Sequence, residues 1–253
     1  MIPRLRIAAS YLGVCLAALS AQTTPTTPSL NAVRDTSFVP CTGKALEAIG
    51  DLLDTADTRT LFEAFGYDVS RLAGLCTVLK SDWLRTGRVW RLSHVSGTDD
   101  VQRVTLVQTG GGSRLWLIPI VDGMIEKPCL PQDPHNLAAF NALLGENRVH
   151  ASTPEDLTSL AVLYLSMIGS EQHAQDWIDR GQGGTGAPSA ASTLRTLDLL
   201  PAVSCAKRER KKECTVTINE MPLDRRYRSW ELSFSLGETG PRLNDVQREI
   251  KEQ

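Results

Sequence analysis

The 253 residues, 42% of them hydrophobic, are enough to bury one sizeable core, as one domain or as two small ones. Twenty-seven basic side chains stand against twenty-nine acidic ones, a formal net charge of −2. That mildly acidic balance excludes a general nucleic-acid or membrane-surface binder.

Residues 1–21 read as a secretory signal. Arg4 and Arg6 supply a positive start, Ile7 to Leu19 a short apolar stretch, and Ser20 and Ala21 the small residues before a cleavage point at Gln22. The apolar stretch falls short of the ~20 residues that a membrane-spanning helix needs, and an uncleaved anchor is the alternative. Cys15 lies inside the apolar stretch with no small residue just before it, which argues against a lipoprotein signal. Cleavage leaves 25 basic and 29 acidic residues, a mature charge near −4, and no transmembrane segment. The expected location is secreted or periplasmic. Residues 22–39, beginning QTTPTTPSLN, form a Thr/Pro-rich leader too poor in apolar residues to pack, and are expected to be a flexible spacer.

Three helices are expected next. Leu46, Ile49, Leu53 and Ala56 recur at helical spacing. Asp57 or Thr58 can cap a second helix carrying Leu61, Phe62 and Phe65 and ended by Gly66. Asp68 or Ser70 opens a third, with Val69, Leu72, Leu75, Cys76 and Leu79 on one face. This layer needs an apolar partner, and residues 88–127 provide one. Val104–Val107 and Leu115–Ile118 are β-rich runs separated by Gly110, Gly111 and Gly112, a turn that needs the positive φ glycine tolerates. Ser96–Asp100 and Asp122-Gly123 close the neighbouring hairpins of an antiparallel β-meander. Leu115–Val121 is apolar on both faces and is expected to be a central strand.

Pro128–Pro134 is a rigid link, followed by a central helix pair. Leu137, Phe140, Leu143 and Leu144 stripe the first helix, which Gly145 ends. The second has Thr153 as its N-cap, Pro154 at the first position, Glu155 and Asp156 where the helix dipole favours anions, and Gly169 as its stop. Residues 181–192 read as a flexible linker. Strand patterning then returns over 193–253. Val203 and Cys205 alternate with polar residues, as do Cys214, Val216 and Ile218, and Trp230, Leu232, Phe234 and Leu236. Pro201 argues for an edge position. The predicted class is therefore α+β: an N-terminal helical layer, a meander, a central helix pair and a C-terminal antiparallel hairpin set, with 193–253 joining 40–180 in one domain. Trp90–Ser93 and Trp230–Ser233 are alike, and each precedes an Asp-Val-Gln-Arg run, at 100–103 and 245–248. A duplicated hairpin and a chance likeness both account for this, although the unequal periods disfavour duplication.

Five cysteines follow the signal: Cys41, Cys76, Cys129, Cys205 and Cys214. An oxidising compartment favours two bridges and one free thiol. Without a CxxC pair, neither a thioredoxin-like site nor a zinc ribbon is indicated. Cys205 and Cys214 flank a run whose midpoint falls between Glu209 and Arg210, so a symmetric hairpin sets the two sulfurs opposite each other. Cys41 with Cys76 is the second pairing and leaves Cys129 free, though Cys129 can replace either partner.

The hairpin tip carries Lys207, Arg208, Arg210, Lys211 and Lys212. One reading is a stapled basic finger that grips an anionic glycan, a lipid head group or an acidic protein. The plainer reading is a solvated tip whose charges protect an edge from pairing. The export signal and the scarcity of stacking aromatics argue against nucleic acid. The sequence contains no HExxH, GxSxG or P-loop motif, and no metal or cofactor is expected. His94 with Asp99 or Asp100 is the one thinkable acid–base pair, against the simpler account of a strand histidine bonded locally. The leading expectation is an exported non-catalytic binding or envelope-associated protein. An exported hydrolase using His94 is the first alternative, and an envelope structural or assembly factor the second.

Overall fold

The computed structural model describes residues 24–34, 36–69, 72–95, 101–120, 133–169, 200–208, 211–220 and 227–251. Residues 1–21, the linker 181–192, Cys129, Asp99, Asp100 and Arg210 lie outside these described residues. The fold is α+β, with four α-helices and two antiparallel sheets among the described residues.

The first sheet has five strands in chain order: β1 (Thr36–Pro40), β2 (Leu72–Ser81), β3 (Arg88–Val95), β4 (Val101–Thr109) and β5 (Arg114–Ile120). Between β1 and β2 come α1 (Lys44–Leu53) and α2 (Ala56–Ala64). Ile49 and Phe62 of these helices, with Tyr67, pack on Trp90, Leu92, Val104, Leu106 and Leu117. The N-cap of α2 is Thr55, whose hydroxyl accepts from the Thr58 N–H at 3.3 Å, so the helix starts ahead of the Asp57 or Thr58 cap that spacing suggests.

After the meander come α3 (Pro134–Glu146) and α4 (Pro154–Met167). Asp133 caps α3. Thr153 and Asp156 cap α4 reciprocally, each side chain bonded to the other's backbone N–H, with Pro154 at the first turn. The second sheet orders β6 (Ala202–Arg208), β7 (Lys211–Glu220), β8 (Tyr227–Gly237) and β9 (Gly240–Lys251). The helix pair lies between the sheets. Val89, Val107 and Ile118 of the first sheet, the buried residues of α3 and α4, and Val216, Leu232, Phe234 and Val246 of the second form one continuous apolar cluster. Every residue from Leu157 to Ile168 is buried, as a helix covered on all sides requires.

Three expectations are corrected. The third helix expected to carry Val69 to Leu79 is replaced from Leu72 onward by β2, paired on one side with β1 and on the other with β3. A bulge between Ala73 and Cys76 breaks strict alternation, and the resulting apolar spacing imitates a helical period. Flanking strands decide the matter, because strand preference depends on neighbours more than helix preference does. Within the leader expected to be flexible over 22–39, several described residues are paired instead. Thr36–Pro40 pairs with β2 from Thr36↔Ser81 to Pro40↔Thr77, and Thr26 bridges Val203 of β6. Backbone pairing and polar anchors hold this segment, and composition cannot report them. Strand β5 is covered on both faces but forms an edge of its sheet, not the centre. Pro119 carried that signal, since proline cannot donate to a ladder.

The two Trp-x-Leu-Ser segments occupy different registers. Ser93 pairs with Arg103 at the end of its Asp-Val-Gln-Arg run, whereas Ser233 pairs with Asp245 at the start of the other. The hairpins are not structurally equivalent.

Candidate functional site

The hairpin of β6 and β7 is built by register. Val203↔Val216, Cys205↔Cys214, Lys207↔Lys212 and Arg208↔Lys211 are direct partners. A disulfide joins Cys205 to Cys214, whose Cα atoms are 4.1 Å apart. Val203 exchanges both backbone bonds with Thr26 rather than with β7, at 2.8 Å each. The Val203, Cys205 and Lys207 rungs are thus of the non-hydrogen-bonded kind, in which opposed side chains come closest. Val203 and Cys214 are buried, Cys205 is half-buried, and Lys207 and Lys212 are exposed. The Lys207–Lys212 rung continues through Leu236 to Pro241, with no carboxylate in the row. Neither lysine joins an ion pair among the described residues.

The second disulfide joins Cys41, just past β1, to Cys76 in β2, with Cα atoms 5.4 Å apart and the Cys41 N–H donating to the Cys76 carbonyl at 2.9 Å. His94 stands in β3 between Leu72 and Gln102. Its proposed partners Asp99 and Asp100 are outside the described residues, so no acid–base geometry is described there. His135 points its Nε2 at the Leu117 carbonyl, 3.0 Å away, and packs against Trp116 and Phe65, which makes it a cover for the β5 edge. The Gly110–Gly112 turn presents two amide N–H groups to the Glu146 carboxylate, at 2.9 and 3.1 Å, so this anion-binding turn is filled from within.

No family model, curated protein or solved structure matches the chain. Its chemistry is therefore read from its own residues.

Among the described residues, no group of three or more His, Cys, Asp or Glu side chains could hold a metal ion. No helix there is long and apolar enough to cross a membrane. An open cleft of about 710 Å³ lies beside α1 and α2, with Leu53, Asp54, Arg59, Glu63, Tyr67 and Asp68 on its walls. Asp54 and Arg59 pair across exposed surface at 3.4 Å, and no histidine or cysteine lines the cleft.

Two features had little signal in the sequence. Arg91 is buried, lies 3.9 Å over the Phe38 ring, and donates to the Ser166 carbonyl at the C-terminal end of α4, where a cation is favoured. Nothing in Trp90-Arg91-Leu92 distinguishes it from an outward-facing arginine. The other is the segment 24–34. The Ser29 N–H donates to Glu155 at 2.9 Å, Arg34 pairs with Asp156 at 3.6 Å, and its guanidinium stacks on Trp83 at 3.8 Å. The Ser29 amide, joined by Glu155's own N–H and the Thr153 hydroxyl, holds the Glu155 carboxyl below its ordinary range.

Proposed function

We propose that the chain is an exported, non-catalytic binding protein that grips an anionic partner through the β6–β7 hairpin. The observation that carries this reading is the pair of consecutive rungs in which the register sets a basic residue opposite a basic residue, Lys207↔Lys212 and Arg208↔Lys211. Like charges directly opposite destabilise a strand pair by about 0.2–1 kcal/mol each. The Cys205–Cys214 staple, closing so short a loop, offsets about 2–3 kcal/mol. A hairpin held shut against its own charge keeps the exposed Lys207 and Lys212 side by side, which suits an anionic glycan, a lipid head group or an acidic protein surface. Two disulfides are in keeping with an oxidising compartment.

The test uses protein recovered from the exported fraction, expected to begin near Gln22. At low salt it should be retained on heparin or on anionic liposomes, and retention should fall as salt shortens the screening length. Replacing Lys207, Arg208, Arg210, Lys211 and Lys212 with serine should abolish retention. The melting temperature should hold or rise, because exposed substitutions usually stay within about ±0.5 kcal/mol each and here a repulsion is relieved. Wild-type protein that flows through both matrices at low salt would sink the proposal.

A further inference from the structure

The outer edge of β6 carries a second observation. Thr26 and Val203 exchange a pair of backbone bonds, so Val203 turns its N–H and C=O away from β7. Strand β6 pairs with β7 from Ala202 to Arg208 without a register shift. Alternate residues of an antiparallel strand share a side, so Cys205 and Lys207 present their backbone groups along the same outer edge. Among the described residues, no backbone bond crosses that edge at Cys205 or Lys207. Continued antiparallel pairing would set Thr24 opposite Cys205, and Thr24 makes no such bond. On the other side Pro28, which has no N–H, ends the ladder. Among the described residues the N-terminal segment thus fills one rung, and none fills the next two, at the end of the edge that leads into the basic tip.

We infer that the rungs at Cys205 and Lys207 receive an extended acidic segment of a partner protein as an added strand. This rests on the hairpin being an anion-gripping element, and it names which anion. Charge complementarity selects an acidic occupant, since Lys207 is exposed on this very strand and Lys212 lies opposite it. Backbone geometry selects a peptide. An unfilled strand edge offers alternating donors and acceptors at a two-residue repeat, which another extended chain matches and a glycan or head group does not. Thr26 on Val203 is an instance of the same pairing within the molecule.

The experiment measures fluorescence anisotropy of a short labelled peptide of alternating glutamate and valine, added to the full chain with its disulfides intact. Two modified peptides carry N-methyl groups on alternate backbone amides, one on the odd set and one on the even set. A strand added to an edge bonds through one set only. One modified peptide should therefore bind about tenfold or more weakly and the other within about twofold of the parent. Amide exchange at Cys205 and Lys207 should slow when the parent peptide is added. The inference is overturned if both modified peptides bind equally, if the parent peptide does not bind, or if the two amides are already protected without peptide because the chain's own N-terminal residues continue the ladder. Heparin retention separates the two readings. If it persists while the peptide arms fail, only the added strand is lost; if it fails as well, the anion-gripping hairpin falls with it.

Discussion

Glu155 shows how one side chain ties the N-terminal segment to the core. Its carboxylate is at the first turn of α4 and accepts the Ser29 N–H at 2.9 Å. Those bonds lower its folded-state pKa, although burial and the neighbouring Asp156 act in the opposite direction. A carboxyl with a depressed folded pKa contributes stability that is present above its unfolded pKa and is lost as pH falls through the folded value. Acid should therefore loosen residues 24–34 from α4. Thermal melts between about pH 5 and pH 3 should show the wild type losing stability faster than Glu155→Gln, which keeps the shape of the side chain but does not titrate there. Parallel acid limbs in the two proteins would remove this role from Glu155. Arg34 and Asp156 act beside it, but their pairing was not legible in the sequence, because 122 positions separate them.

At the scale of elements, one edge of each sheet meets an α3 side chain rather than another strand: His135 at β5 and Asn141 at β9. Asn141 of α3 donates to the Leu243 carbonyl at 2.8 Å and accepts the Leu243 N–H at 2.9 Å, so one amide stands in for a neighbouring strand on the edge of β9. Near the start of β9, Gly240 has a φ of +100° and its Cα faces the Val149 carbonyl closely enough that an added Cβ would lie 2.5 Å from that oxygen. Asn141→Leu should leave both Leu243 backbone groups buried and unpaired, destabilising the protein by about 2–3 kcal/mol in chemical denaturation. The Leu243 amide should exchange much faster in that variant, and unchanged exchange would show that α3 does not cap the edge. Elements with complete local signals were legible: α4 announces its cap, its first-turn proline and acids, and its apolar repeat in consecutive residues. Strand β2 was not, because its bulge disguises the period and its identity depends on β1 and β3. The edge position of β5 was legible in Pro119 and was outweighed by the apolar run around it.

At the scale of the molecule, α3 and α4 belong to both sheets at once. Leu160 is fully buried in the cluster that contains Ile118 on one side and Val216 and Leu232 on the other. Leu160→Ala should cost about 2–5 kcal/mol. Because the cluster is continuous, amide exchange around Val89 in β3 and around Trp230 in β8 should accelerate together, and heat should unfold the chain in one transition. Two separated transitions, with only one sheet affected, would mean that the sheets are independent folding units.

What the sequence determined by itself is local or compositional: the α+β class, the capped helix α4, the glycine turn between β4 and β5, and the half-buried strand β8. Alternation, caps and turns are properties of residues a few positions apart, so a single chain displays them. The Cys205–Cys214 register belongs with them, since nine positions and a symmetric turn leave little choice of partner. Only the tertiary structure decided that the helix pair lies between two sheets, that Thr36–Pro40 is a strand, that Arg91 is buried, and that Thr26 occupies one rung of the β6 edge. Each depends on which surface meets which across scores of residues, and apolar spacing identifies a face without naming what covers it.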